Sequence, residues 1–293
     1  LRERHPDAAS KESAMMAKPT FQAYPERTAV GGYREPRFEP FSRRAFNTYL
    51  VVALLVSFFG ACLQLAEVDP VRLADGLPRL LRWAATAWPP YFQDLDRFLY
   101  RALETVAIAT VATVFATIIA FPLGILISKN IVTSAWIATP VRGVLNALRG
   151  IDTVVFAILF VAAVGLGPFA GVLGMTLHAI GVIAKLNSEA IETLPRPPLE
   201  AVELSGASRS KLVTYAVLPA SLPSLASTSL YVWEANVRTS TILGIVGAGG
   251  IGIEIKAAID LLDFQKLFTL TVIVLAMVTI IDQISAFLRR RLI

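Results

Sequence analysis

The chain is 293 residues long, 55% hydrophobic and only 17% charged, with a mean hydropathy of +0.62. Soluble domains run at roughly half apolar and a quarter charged, so this composition excludes one and points to a membrane protein. The formal net charge of +5 does not require a nucleic-acid partner, because basic residues beside apolar spans follow the positive-inside rule. The one cysteine, Cys62, excludes an intrachain disulfide and a multi-cysteine metal site. The two histidines, His5 and His178, lie far apart and leave no paired-histidine zinc motif.

Residues 1–45 mix charges with scattered prolines and Gly31-Gly32, and read as a mobile cytoplasmic tail. Phe46 to Ala66 carries almost no charge over about 20 residues, enough at ~1.5 Å per residue to cross a ~30 Å hydrocarbon core. No small-residue cleavage site follows it, so it reads as a retained span. Arg43 and Arg44 place the N-terminus in the cytoplasm. Residues 46–98 then comprise this first span and an external segment. Around Leu77, Leu80, Leu81, Trp83, Trp88 and Tyr91 that segment has the pattern of an amphipathic interfacial helix.

Residues 99–293 hold the remaining spans. The second is expected over Leu103–Ser128, followed by a cytoplasmic connection with Arg142 and Arg149. The third, Thr153–Leu166, is short, and Gly165 to Pro168 turns the chain outside. The fourth covers Phe169–Ile191, the fifth Ala220–Ile245 and the sixth Phe264–Leu288, before Arg289-Arg290-Arg291. The expected fold is all-α and polytopic, with about six transmembrane helices and both termini cytoplasmic.

The cytoplasmic loop 193–219 is the most informative segment. Pro195, Pro197 and Pro198 end one helix and pre-set φ for another. Glu200 and Glu203 are expected near the positive end of that helix. Gly206 permits a bend, Ser208 is placed to cap a second short helix, and Pro219 marks the start of span five. A rigid helical knob on the surface suits docking into a groove of another protein.

These residues resemble the coupling signature of ATP-binding-cassette importer permeases: Glu-Ala-Ala, three residues, Gly, nine residues, Ile-x-Leu-Pro. Glu200, Ala201, Gly206, Leu218 and Pro219 stand at the matching positions, with Val202 and Ala216 as mild apolar departures. From about residue 100 the chain is similar to the phosphonate-importer permeases. The resemblance rests on Val164 to Gly174, on Gly181 to Lys185 with Glu189 to Glu192, and on Asn236-Val-Arg238 followed by Val246 to Gly252. That family commonly has Ile-Pro-Glu after the arginine corresponding to Arg149. Here Gly150-Ile151-Asp152 stands instead, which shifts the expected substrate towards phosphite or hypophosphite.

The resemblance implies a type I ABC-importer permease in the bacterial inner membrane, with no catalysis and no cofactor of its own. It implies two copies forming the pathway, each engaging one ATPase subunit that carries ATP-Mg. An external solute-binding protein, periplasmic or lipid-anchored, would deliver a small phosphorus oxyanion. An ion-coupled secondary transporter is the alternative, but it leaves the docking loop without a purpose. An intramembrane enzyme ranks last, for the chain has no GxGD or GxSxG signature.

Polar residues inside the spans are the candidate pathway. Arg238, with Asn236 and Glu234, lies in span five, and Glu234 and Arg238 are four apart on one helix face. Arg238 either offers a bidentate fork to the oxyanion or serves a structural pair. Gly247, Gly249, Gly250 and Gly252 match a dinucleotide fingerprint, yet no strand–turn–helix unit surrounds them. They are read as a flexible external turn or as backbone N–H groups lining an anion's route. His178 is expected to pack between helices with a hydrogen bond to a neighbour, and is otherwise a candidate for the anion's route. Lys185 is expected to snorkel beside Glu189, and Asp282, to which no role is assigned, to pair with Arg289, Arg290 or a neighbour.

Overall fold

The computed structural model describes residues 43–131 and 135–292, and every regular element among them is helical. The tail expected over residues 1–45 lies, but for its last three residues, outside the described part. The chain divides into two compact units, the first ending at Ala74 and the second beginning at Asp75.

The first unit contains α1, Arg43–Leu65, which matches the first expected span. Its apolar side chains, among them Phe46, Leu54 and Phe58, are exposed around the whole helix. A helix apolar on every face has lipid as its natural solvent. The amphipathic helix α2, Pro70–Thr86, crosses the division between the units. It starts at Asp69, whose Oδ1 accepts from the amides of Val71 at 2.9 Å and Arg72 at 3.2 Å. Trp88 and Tyr91, expected in this helix, lie beyond its end.

The second unit is a bundle. Its long members are α3 (Leu95–Ile127), α6 (Pro168–Glu192), α9 (Leu218–Leu243) and α11 (Phe264–Leu292). Shorter helices connect them: α4 (Ala135–Gly150), α5 (Thr153–Val164), α7 (Arg196–Leu204), α8 (Arg209–Leu212) and α10 (Gly252–Asp260). Helix α6 is central, packing against α3, α4, α5 and α9. Lipid gives no hydrophobic drive for helices to associate, so close van der Waals approach must hold them, and small residues permit it. Ala170, Gly174, Ala179, Gly181 and Ala184 are all buried along α6. A Cβ on Gly174 would meet the backbone nitrogen of Ala157 at 2.7 Å, and one on Gly181 that of Arg149 at 2.7 Å.

Two readings of the sequence need correction. The connection expected before span three is the 16-residue helix α4, set at 89° to α5. Val141, Leu145 and Leu148 recur at helical spacing and pack against the core that Ala179 and Ile183 form on α6. Arg142 and Arg149 interrupt this helix, so a search for uninterrupted apolar runs passes over it. Asp152 starts α5 by accepting from the Val154 amide at 2.9 Å. The glycine-rich stretch after span five likewise gives way to a helix, α10.

Among the described residues, four helices (α1, α3, α6 and α11) are long and apolar enough to cross a bilayer, and the bent pair α4–α5 is a fifth candidate. Helix α9 occupies the place of the fifth expected span, but its serines, threonines and charges keep it below that standard. Its polar groups meet protein instead. Asn236 Nδ2 donates to Thr113 Oγ1 at 2.8 Å, Trp233 Nε1 to Thr110 Oγ1 at 2.9 Å, and Ser240 Oγ to the Thr105 carbonyl at 3.3 Å. A helix enclosed by three others can carry such groups, because its neighbours satisfy them.

The packing at α6 leads to a contrast between two glycines. Gly174→Ala should destabilise the protein by about 1–3 kcal/mol, because backbone cannot yield to the added methyl. Gly143→Ala, on an exposed face of α4 with nothing within 4 Å of the new carbon, should be neutral or stabilising by up to ~1 kcal/mol. Thermal unfolding of the two variants in detergent measures the difference, and equal melting temperatures would remove α6 from its central role.

Candidate functional site

The segment between α6 and α9 forms a compact knob. Pro195 precedes α7, with Pro197 and Pro198 in its first turn. Glu200 is the fifth residue of α7 and Glu203 the eighth, so neither sits at the positive helix end expected for them. Both carboxylates, with Ala201 and Leu204, are exposed on the outer face. Gly206 turns the chain at φ +73°, a left-handed conformation, with open space around its Cα. Ser208 starts α8, but its side chain makes no capping hydrogen bond; its carbonyl accepts from the Leu212 amide at 3.0 Å.

From Val213 to Val217 the helix widens into a π turn before α9 begins at Leu218. Pro219 accounts for the widening: it has no amide hydrogen, and in a regular helix its ring would clash with the Tyr215 carbonyl. The inner side of the knob is anchored. Ile131, Ile191 and Val217 form a buried cluster joined by Leu199 and Val213. Arg209 Nη1 donates to the Ile131 carbonyl at 3.2 Å. The result is a rigid base with an exposed outer face, on which Leu204 and Tyr215 are 89% and 73% accessible.

A second site lies within the bundle on α9. Glu234 Oε1 accepts from Arg238 Nη2 at 2.8 Å, the pair expected from their spacing. Its Oε2 accepts from Arg289 Nη2 of α11 at 3.0 Å, a contact the sequence reading did not foresee. Asp282, for which Arg289, Arg290 or a neighbour is the expected partner, has its Oδ1 buried without a hydrogen-bond partner. The Glu234 side chain is only 13% exposed, whereas that of Arg238 is 50% exposed. One carboxylate thus fixes two guanidinium groups, and Arg238 retains accessible N–H groups. Asn236, two residues away, is buried and committed to Thr113.

The glycine stretch is a close-packed turn and not a flexible one. Gly247, Gly249 and Gly250 all have positive φ, and Gly249, Gly250 and Gly252 are buried. A Cβ on Gly249 would meet Pro168 Cα at 2.8 Å, and one on Gly250 would meet Thr105 Oγ1 at 2.6 Å. The amide of Gly167 donates to the Gly247 carbonyl at 2.9 Å and that of Ile251 to Thr105 Oγ1 at 2.8 Å. These contacts tie the loop to α3 and to the start of α6, away from the knob. His178 Nδ1 lies 2.9 Å from the Ile151 carbonyl. It must carry the proton there, since a carbonyl only accepts; this is the helix-packing bond expected of it. Lys185 pairs with Glu189 at 3.1 Å.

Beside the glycine turn is a charge network that no local motif announces. Buried Glu254 of α10 accepts from Arg97 at 2.8 Å and lies 3.6 Å from Arg101, which itself pairs with Glu104 at 2.7 Å. More than 150 residues separate Glu254 from these arginines, so spacing alone gives no signal.

The profile of the family described as "Binding-protein-dependent transport system inner membrane component" matches residues 120–293. The putative phosphite transport system permease protein HtxC of Stutzerimonas stutzeri is 47% identical over 84% of this chain and 86% of its own length. The phosphite transport system permease protein PtxC of the same organism is 34% identical over 78% of this chain and 84% of its own. A chain of the inward-facing MetNI methionine ABC transporter superposes with a TM-score of 0.63 at 24% identity, covering 69% of this chain and 99% of that one. At that identity the likeness concerns the fold alone. The chain therefore belongs to the family of binding-protein-dependent transport system inner membrane components, the ABC-importer permeases.

Proposed function

We propose that this permease carries a small phosphorus oxyanion, phosphite in the first instance, inwards across a bacterial inner membrane at the expense of ATP hydrolysed on separate subunits. The observation that carries the coupling part of this reading is the knob, its outer face exposed and its inner face anchored in the bundle. Glu200, Ala201, Glu203 and Gly206 form the surface for an ATPase subunit, while Leu218 and Pro219 join that surface to α9. Movement of the knob then reaches α9 without an intervening flexible linker. The names of its relatives support the substrate class.

In this reading two copies form the pathway, each with one ATPase that binds ATP-Mg, and an external solute-binding protein delivers the anion. Six spans, with both termini and the knob cytoplasmic, satisfy the basic clusters at Arg43-Arg44 and Arg289-Arg291. Arg238 offers N–H groups to replace water lost by the anion, while Glu234 holds the guanidinium in place. The glycine turn supports the outer end of this route by packing.

Three measurements test these assignments. Gly206→Asn should preserve coupling, because asparagine tolerates a left-handed backbone. Gly206→Arg should insert normally yet lose phosphite uptake and stimulated ATP hydrolysis by roughly tenfold or more in vesicles containing the assembled transporter. Unimpaired coupling in Gly206→Arg would remove the docking assignment.

The two arginines on Glu234 predict an asymmetry. Glu234→Gln leaves Arg238 and Arg289 both uncompensated and should cost about 1–3 kcal/mol of stability. Arg238→Ala leaves the Glu234–Arg289 pair intact, so the protein should melt within ~2 °C of the parent while uptake falls strongly, and Arg238→Lys should restore it only in part. If Arg238→Ala transports normally, the residue is scaffold.

Sidedness is read by single cysteines at Ser210 and Asp75 in a Cys62→Ala background. An impermeant thiol reagent applied to intact spheroplasts should label only the Asp75 position. Labelling at Ser210 would invert the topology.

A further inference from the structure

A small cavity lies where the ends of α3 and α6 meet the face of α4. It measures about 180 Å³, and its polar lining is Lys129, Arg142, Asn146, Lys185, Ser188 and Glu192. Three of these are cations and one is a carboxylate, a formal charge of +2 (three minus one). The single carboxylate is already engaged, for Glu192 Oε1 accepts from the Lys129 amide at 2.9 Å. Lys185 pairs with Glu189 at 3.1 Å, but the Glu189 side chain is 53% exposed, and an ion pair so open to water binds weakly. Counting Glu189 still leaves the site at +1.

The donors there are held in place. Arg142 Nε donates to the Ile127 carbonyl at 3.0 Å, Nη2 bonds to the same oxygen, and the rest of its fork is left to serve the cavity. Ser188 is buried with its hydroxyl 3.4 Å from that of Ser128, whose single proton goes to the Gly124 carbonyl at 2.7 Å. By contrast, in the larger cleft of about 530 Å³ beside the glycine turn, counting adjacent pair partners in the same way leaves no net charge, with Arg101 paired to Glu104 and Lys256 to Asp260 outside the lining. Of these two, the smaller cavity combines unmatched positive charge with fixed donors.

We propose that this cavity binds a tetrahedral oxyanion of the phosphate class, either the free anion or the headgroup phosphate of an anionic lipid. Both present the same chemistry to it: a compact negative charge with several acceptor oxygens, met by ammonium, guanidinium and hydroxyl donors. Basic pockets between helices at a membrane edge also take lipid phosphates. The site lies beside the base of the knob, since Asn130 Nδ2 donates to the Glu192 carbonyl at 3.0 Å and Ile131 is the acceptor for Arg209. An anion bound there would brace α3, α4 and α6 together at the point where the knob is anchored.

The test is thermal unfolding of the full chain at constant ionic strength, with sodium phosphite as probe and chloride as control. In detergent, millimolar phosphite should raise the melting temperature by about 3 °C. The Lys129→Gln/Lys185→Gln double variant should lose most of that shift, and Lys185→Arg should keep it. Nanodiscs of phosphatidylcholine, with or without phosphatidylglycerol, separate the sources. If the free anion is the occupant, phosphite stabilises the parent in both kinds of disc. If the headgroup is, phosphatidylglycerol stabilises the parent and removes the response to phosphite. Parent and double variant responding alike to phosphite and to phosphatidylglycerol would overturn the proposal. Should the double variant fail to fold, Lys185→Gln alone gives the same comparison, its side chain being 37% exposed. Uptake is not read in this experiment, so its failure would leave the transport reading untouched.

Discussion

The close approach of backbones along α6 is the constraint on which the rest of the bundle depends. In water, burying large apolar side chains would hold such an assembly together, but between lipid and protein interior that difference largely vanishes. What remains is contact, and Gly174 and Gly181 let α5 and α4 come within backbone distance of α6. The buried faces of α3 follow the same rule, with Ala109, Ala112, Ala116 and Ala120 fully enclosed. Larger residues such as Val111, Val114 and Phe115 are left exposed on the other side of that helix. Between Ala109 and Ala120, α3 thus turns small residues inward and large ones outward.

Close packing also explains how polar groups can reside in this bundle. Threonines and serines on α3 and α9 return hydrogen bonds to carbonyls four residues earlier, as Thr113 does to Ala109 and Ser229 to Leu225. Their oxygens are then available to groups on facing helices, and Thr113 and Thr110 accept from Asn236 and Trp233. With backbones close together, these short side chains span the gap between helices. The Glu234 carboxylate with its two arginines is the charged extension of the same arrangement, joining α9 to the end of α11.

The knob is built on the opposite principle. Its helices are short and carry little buried surface, so tertiary anchoring, not helix propensity, keeps them in place. The cluster around Ile131, Ile191 and Val217 supplies that anchoring from below, and the π turn fixes how α9 leaves it. Rigidity at the base with exposure at the tip is what a mechanical connection between two proteins requires. The basic cavity lies against the same base, so the proposed anion site and the proposed docking surface are neighbours in the bundle.

The sequence by itself determined whatever depends on residues near one another in the chain. Long apolar runs marked α1, α3, α6 and α11, because a bilayer-spanning helix must satisfy its backbone within itself. The prolines, Gly206 and Glu200-Ala201 located the knob, and the four-residue spacing of Glu234 and Arg238 gave their pair. Only the tertiary structure decided the rest. Arg289 reaches Glu234 and Arg97 reaches Glu254 across distances in the chain at which no periodicity operates. Helix α4 was hidden because its arginines break the apolar run and only the face carrying Val141, Leu145 and Leu148 packs. The glycines at 247–252 read as flexible by type, yet become a close-packed turn because Thr105 and Pro168 occupy the space their missing side chains leave. Residue type sets what a glycine permits; the neighbours brought by the fold decide how that freedom is used.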